Sequence, residues 1–190
     1  MNTTSDSINL ALEQVLAEVA VCARQVSAES LAQAGLRMEA APRIFVAGAG
    51  RSGLCMRALG MRLMHLGKTV YVVGETITPS LAAADLLILA SGSGQTTSLL
   101  ALAEKARRQR TLILLFTTDL ASPLAQLAQH HVVIPAPSLR TSAGVSMSMQ
   151  PMGTLFEQTL LILCDTLVLG LMQRMEVAAA QMLERHANLE

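Results

Sequence analysis

Ile44-Phe45-Val46-Ala47-Gly48-Ala49-Gly50-Arg51-Ser52-Gly53 is a short apolar run that breaks into glycines. Four consecutive apolar residues read as a strand buried on both faces, which is the setting of a parallel sheet between layers of helix. The glycines form a GxGxxG. They permit a tight turn and a close approach by phosphate, and the helix predicted after them starts with free N–H donors. The same grammar repeats downstream. Val70-Tyr71-Val72-Val73, Leu86-Leu87-Ile88-Leu89, Thr111 to Phe116 and His131 to Ile134 read as further strands. Helical patterns fall at about 51–66, 96–109, 121–129 and 152–186. Right-handed crossovers then give an α/β fold, a three-layer α/β/α sandwich on a five-stranded parallel sheet. A flavodoxin-like strand order, 2-1-3-4-5, is the expected arrangement. Between the second and third strands no helix is predicted, because Thr76 to Pro79 is turn-like.

Upstream, Ser5 or Ser7 is placed to cap a first helix, with Ile8, Leu12, Val15, Leu16 and Val19 on one apolar face. A second helix is expected from about Ser27 to Met38. The whole chain, 1–190, reads as one domain: a helical lead-in over 1–42, a sheet core over 43–135, a Ser/Thr-rich loop over 138–152 and a long C-terminal helix over 152–186. Long irregular segments in compact domains are often functional.

Composition removes several classes. Of the residues 52% are hydrophobic and 15% charged, so disorder is excluded. Fourteen basic residues balance fourteen acidic ones, and aromatics are 2% with no Trp. Neither an electrostatic track for nucleic acid nor stacking platforms for single strands are present, so no nucleic-acid partner is expected. Cys22, Cys55 and Cys164 are odd in number and widely spaced. They suggest reduced packing residues rather than a disulfide framework, and no metal site. The N-terminus has neither the basic flank nor the apolar run of a signal peptide, and a cytoplasmic protein is expected. Met152 to Met172 is long and apolar, but it contains Glu157 and Asp165. It reads as a buried helix, with no membrane partner.

The third strand ends in a second loop, Ser91-Gly92-Ser93-Gly94-Gln95-Thr96-Thr97-Ser98, again followed by a helix. Its hydroxyls and amides make a neutral anion nest that needs no lysine. In the expected strand order the first and third strands flank the topological switch, so both glycine loops border one pocket. That suits a small phosphorylated ligand better than an extended dinucleotide. A dinucleotide oxidoreductase stays open as an alternative, because Glu75 lies 22 residues beyond Gly53, where a ribose-binding acid belongs.

The second loop resembles the phosphosugar-binding signature of the sugar isomerase (SIS) domain. More narrowly, four stretches resemble the 6-phospho-3-hexuloisomerase family: Gly48 to Gly53, Met61 to Gly67, Val72 to Pro79, and Gln150-Pro151-Met152-Gly153-Thr154-Leu155-Phe156-Glu157-Gln158. The closing Arg185-His186-Ala187-Asn188-Leu189-Glu190 is similar to that family's tail. Gln95 departs from it, since many relatives carry Glu there. The resemblance implies an enzyme that interconverts D-arabino-3-hexulose 6-phosphate and D-fructose 6-phosphate, following a synthase that fixes formaldehyde on ribulose 5-phosphate. It also implies a homo-oligomer, usually a tetramer. A non-catalytic sugar-phosphate-binding SIS module is a further alternative.

Moving a carbonyl from C3 to C2 takes a proton from C2 and returns one to C3 through an enediol, work that a single carboxylate can do. Glu157, after Pro151 and early in a long helix, is the candidate; the resemblance assigns it the base, where local sequence alone suggests a dipole partner. His65 is a second candidate for proton transfer, although a His in the last turn of a helix also favours the dipole there. His186 in the tail is a further group that a neighbouring subunit's site would have within reach. His130 and His131 read as surface or strand-edge residues. Ser52, Ser91, Gly92, Ser93, Gly94, Gln95 and Thr96 are the expected substrate-binding residues. Arg51 reads as a surface arginine opening a helix, with a phosphate contact as the alternative. Asp165 reads as a buried hydrogen-bonding partner or an interface group. No cofactor or metal is expected, since an enediol route needs only acid–base groups and oxyanion stabilisation.

Overall fold

Leu, Ile, Val and Phe dominate five short segments, and each forms a strand of one parallel sheet. These are β1 (Arg43–Gly48), β2 (Thr69–Val72), β3 (Leu86–Ala90), β4 (Leu112–Thr117) and β5 (His130–Val133). The computed structural model describes residues 3–137 and 148–189. Neighbouring strands run β2-β1-β3-β4-β5, the expected order. The register Ile44↔Leu86 through Gly48↔Ala90 brings the ends of β1 and β3 level. Both glycine loops therefore leave the sheet side by side.

Seven helices accompany the strands among the described residues: α1 (Thr3–Arg24), α2 (Ala28–Ala40), α3 (Gly50–His65), α4 (Thr97–Arg108), α5 (Pro123–Leu127), α6 (Thr154–Arg174) and α7 (Ala179–Glu184). Alternation along each strand feeds two cores. Ile44, Val46, Ile88 and Phe116 face the layer of α1, α2, α3 and α6. Phe45, Ala47, Leu89 and Leu115 face α4 and α5. Among the described residues α6 is the one helix long and apolar enough to cross a membrane, yet half of its most apolar stretch is buried inside the protein. Thr154, Leu160, Leu163, Leu167 and Leu171 point into the core.

Two expectations about helices are corrected. The 152–186 segment is not one helix. α6 starts at Thr154, after a left-handed Met152 (φ 57°), and ends before Glu176 (φ 54°). Val177 N–H bonds Met172 C=O and Glu176 N–H bonds Gln173 C=O, a Schellman termination in which a glutamate fills the place usually held by glycine. α7 then turns back, so that Arg185 donates to the His65 carbonyl at 2.9 Å. Pro151 precedes α6 by three residues and accepts from Thr154 N–H through its carbonyl. At the other end, Ser5 and Ser7 do not cap α1. They lie within it, and Ser7 Oγ donates to Thr4 C=O. Ser27 does cap α2, accepting from Ser30 N–H. Of the loop expected over 138–152, residues 138–147 lie outside the described residues.

Candidate active site

Three helices begin around one cleft of about 460 Å³, bordered by Arg51, Ser52, Ser93, Thr96, Thr154 and Glu157, with Gly92, Gln95, Pro137, Met152, Gly153 and Phe156 completing the wall. The N-caps are Ala49 for α3, Thr96 for α4 and Gly153 for α6, and none of them makes a side-chain capping bond. No side chain therefore takes up the first-turn N–H groups at these three N-caps, although the Thr154 N–H of α6 is bonded to the Pro151 carbonyl. No acidic residue stands in the first turn of α3 or α4. Together these ends make a strongly anion-favouring environment without any lysine.

The loop from β3 to α4 is held in a tight cup. Ser91 Oγ accepts from Gly94 N–H at 3.2 Å and lies 3.1 Å from Thr96 Oγ1, while Gln95 N–H donates to Ser93 Oγ at 3.3 Å. The loop after β4 clamps it from behind. Thr118 donates to the Gly92 carbonyl through its N–H and its hydroxyl, and Leu124 N–H donates to the Gly94 carbonyl. Gly94 is left-handed (φ 60°), and a side chain there would run into Ser122 Oγ and Cβ. The expected residues Ser52, Gly92, Ser93, Gln95 and Thr96 all border the cleft. Ser91 and Gly94 shape the cup from beneath.

Glu157 stands in the first turn of α6, with its side chain 18% exposed, and bonds Arg51 (Oε2 to Nε, 3.1 Å). Arg51 also donates to Thr154 Oγ1 at 3.3 Å. Arg51 is exposed at the start of α3, as expected, and its guanidinium also borders the cleft and ties α3 to α6. An arginine that opens a helix carries no sequence signal for such a role. Glu75, the alternative ribose-binding acid, is exposed and paired with Arg57 at 2.7 Å.

His65 is not brought to this cleft within the chain. It closes α3, which begins at the cleft with Gly50, and fifteen residues of helix separate the two by about 22 Å. His65 is buried and stacks on His186 with ring centroids 5.4 Å apart. Burial, Arg62 and His186 together hold its imidazole below the ordinary histidine range. Arg62, His65, Asp165, Leu169 and His186 line a second cleft of about 420 Å³. Asp165 is exposed there, so the buried alternative for it is corrected. His130 and His131 open β5, half-buried, and His131 Nε2 lies 2.8 Å from the Ala125 carbonyl. The three cysteines are buried and free; burial pushes the Cys22 and Cys55 thiols up. Among the described residues no three His, Cys, Asp or Glu side chains are grouped to hold a metal.

Known proteins are similar to this chain over most of its length. The SIS domain family model matches residues 37–165. The chain is 44% identical over 190 residues to the 3-hexulose-6-phosphate isomerase of Mycobacterium gastri, covering 100% of this chain and 95% of that one. It is 39% identical to the Bacillus subtilis (strain 168) protein of the same name, over 93% of this chain and 96% of the relative. A crystal structure from Methanococcus jannaschii, for which a molecular function of 3-hexulose-6-phosphate isomerase was inferred, superposes with a TM-score of 0.83. Its identity is 34%, and the match covers 95% of this chain and 99% of that one.

Proposed function

The chain belongs to the SIS-domain family, and from that membership we propose an isomerase that interconverts D-arabino-3-hexulose 6-phosphate and D-fructose 6-phosphate in the ribulose monophosphate pathway. The observation that carries the reading is the pairing, in one cleft, of an uncharged phosphate cup with a single carboxylate on a rigid helix. The phosphate sits in the cup of Ser91–Thr96, on the N–H groups of α4 and beside Ser52. The carbon chain then extends toward Glu157, which removes the proton from C2 as general base. The electron pair moves into a C2–C3 enediolate, the C2 hydroxyl passes its proton to the C3 oxygen and becomes the carbonyl, and the same carboxyl returns its proton to C3. Arg51 orients the carboxylate and faces the oxyanion that develops on the enediol.

His65 enters the reading as a group supplied by a second copy of the chain. Leu54, Met61 and Met64 of α3 and Leu161, Ile162 and Leu169 of α6 are large apolar side chains exposed on packed neighbouring helices. A face of this kind is covered by another subunit in stable oligomers. Self-association through it, in a tetramer, carries the cleft of His65 and His186 toward a neighbour's Glu157. The test is a coupled assay in which hexulose 6-phosphate is generated from formaldehyde and ribulose 5-phosphate by an added synthase, and fructose 6-phosphate is followed. Glu157→Gln is expected to lose on the order of 10²–10⁴ in kcat while still binding sugar phosphate. Sugar-phosphate binding with no turnover by the wild-type protein would favour the non-catalytic module instead.

A further inference from the structure

Glu18 lies on α1, more than a hundred residues from Glu157 in sequence, and its carboxylate gathers three donors from the segment that leads into α6. Ser148 Oγ donates to Oε2 at 2.5 Å, Met149 N–H to Oε1 at 2.9 Å, and the Gln150 side-chain amide to Oε2 at 2.9 Å. Gln150 N–H in turn donates to Ser148 Oγ at 3.0 Å, and the Gln150 side chain is buried. The peptide bond to Pro151 carries this cluster to a second group of bonds. The Pro151 carbonyl accepts from Thr154 Oγ1 at 2.6 Å, Thr154 Oγ1 accepts from Arg51, and Arg51 pairs with Glu157. Between Gln150 and α6 the backbone passes through Met152 in the left-handed region. A non-glycine residue persists in that conformation only where its surroundings over-determine it.

We infer that Glu18 is a positioning residue for the reaction: by clamping residues 148–150 it fixes the start of α6, and with it the Arg51–Thr154–Glu157 triad at the mouth of the cleft. The inference rests on the reading of Glu157 as the base. Pro137 borders both the cleft and the smaller cavity in which Glu18 lies, so the clamp sits directly behind the wall of the site. Burial pushes the Glu18 carboxyl up, and the bonds from Ser148, Met149 and Gln150 outweigh it, holding the group below the ordinary glutamate range as an anion. The clamp holds the segment that carries Glu157, whereas the Ser91–Thr96 cup is braced by Thr118 and Leu124. The effect of Glu18 therefore falls on chemistry rather than on phosphate capture.

The experiment compares wild type, Glu18→Gln, Gln150→Ala and the double variant in the coupled isomerase assay, with circular dichroism and thermal melting as folding controls. Catalytic groups displaced by about 1 Å lose on the order of a hundredfold. Folded Glu18→Gln should accordingly lose between about tenfold and a hundredfold in kcat, with KM changing by less than about threefold. The double variant should be no slower than the worse single variant, because both break one clamp. Unchanged kcat in folded Glu18→Gln, an equal loss carried by KM, or additive losses in the double variant would each overturn the inference. Should Glu18→Gln fail to fold, Gln150→Ala with the same split between kcat and KM decides the matter. Glu157→Gln in the same series separates the two ideas. If it stays active, the base assignment fails; if it is inactive while Glu18→Gln turns over normally, only the clamp fails.

Discussion

Gly94→Ala tests how the phosphate cup is built. Gly94 has φ 60°, a conformation that costs an L-residue about 1–2 kcal/mol. The new Cβ would also overlap Ser122 Oγ and Cβ. Ser122 cannot retreat freely, because it is buried, donates to the Asp119 carbonyl at 2.7 Å and caps α5 by accepting from Ala125 N–H. Overpacking of this kind costs about 1–3 kcal/mol. The combined loss is about 2–5 kcal/mol, and about 3 kcal/mol corresponds to a fall of about 6–12 °C in Tm for a chain of this size. Thermal and urea melts measure it. Ser122→Gly removes both overlapping atoms and leaves the backbone cost, so Gly94→Ala made in the Ser122→Gly background should cost about 1–3 kcal/mol less than in the wild type. Gly92→Ala is the matched control, since its Cβ would meet Phe156 Cδ1 at 3.4 Å, an ordinary contact. A Gly94→Ala cost that is the same in both backgrounds, or a Gly92→Ala as damaging as Gly94→Ala, would refute the packing argument.

Arg51→Met should leave stability within about 1 kcal/mol, since its pair with Glu157 is half-exposed, yet lower kcat/KM on the order of tenfold or more through the loss of a charge-assisted contact. Steady-state kinetics beside a melting curve separates the two effects. Acid stability provides a further check on Glu18. Its folded pKa lies below the ordinary 4.5, so its contribution is complete above that value and is lost as pH falls through the folded one. Urea melts of wild type should therefore lose more stability below pH 4.5 than those of Glu18→Gln; parallel loss would count against the clamp. Leu169→Asp places a charge on the exposed apolar face of α6 and is expected to reduce the mass seen by light scattering with little change in the melting of the monomer. A wild-type protein already monomeric would sink the oligomer proposal and the shared-site role of His65 with it.

The parallel sheet was legible because strands buried on both faces read as unbroken apolar runs, and the two glycine loops marked where β1 and β3 end. The second helix, expected from about Ser27 to Met38, was legible as well and runs from Ala28 to Ala40. The break after α6 was not legible, because the left-handed residue that follows the helix is Glu176 rather than glycine or asparagine, so no local preference marks the turn. Arg51 was hidden in another way. Its partners, Thr154 and Glu157, lie over a hundred residues downstream, and only the crossing of α3 with α6 brings them together. Glu18 carried no signal at all, since a carboxylate on the polar side of an amphipathic helix looks like any solvated group until the chain returns to it at Ser148. His65 was recognisable as a chemically able group, and the helix expected over 51–66 already set it in the last turn, at the far end of α3 from the glycine loop.

The convergence of three uncapped helix starts has a thermodynamic side. Their N–H groups come together only in the folded chain, so phosphate and its esters bind the native state and not the unfolded one. Anion concentration and stability are then linked: a ligand at a hundred times its Kd adds about 2.7 kcal/mol to the unfolding free energy. The melting temperature of this protein becomes a binding isotherm, readable for inorganic phosphate and for each sugar phosphate in turn without any turnover. On the proposed site, phosphate buffer is expected both to raise the melting temperature and to compete with the sugar phosphate.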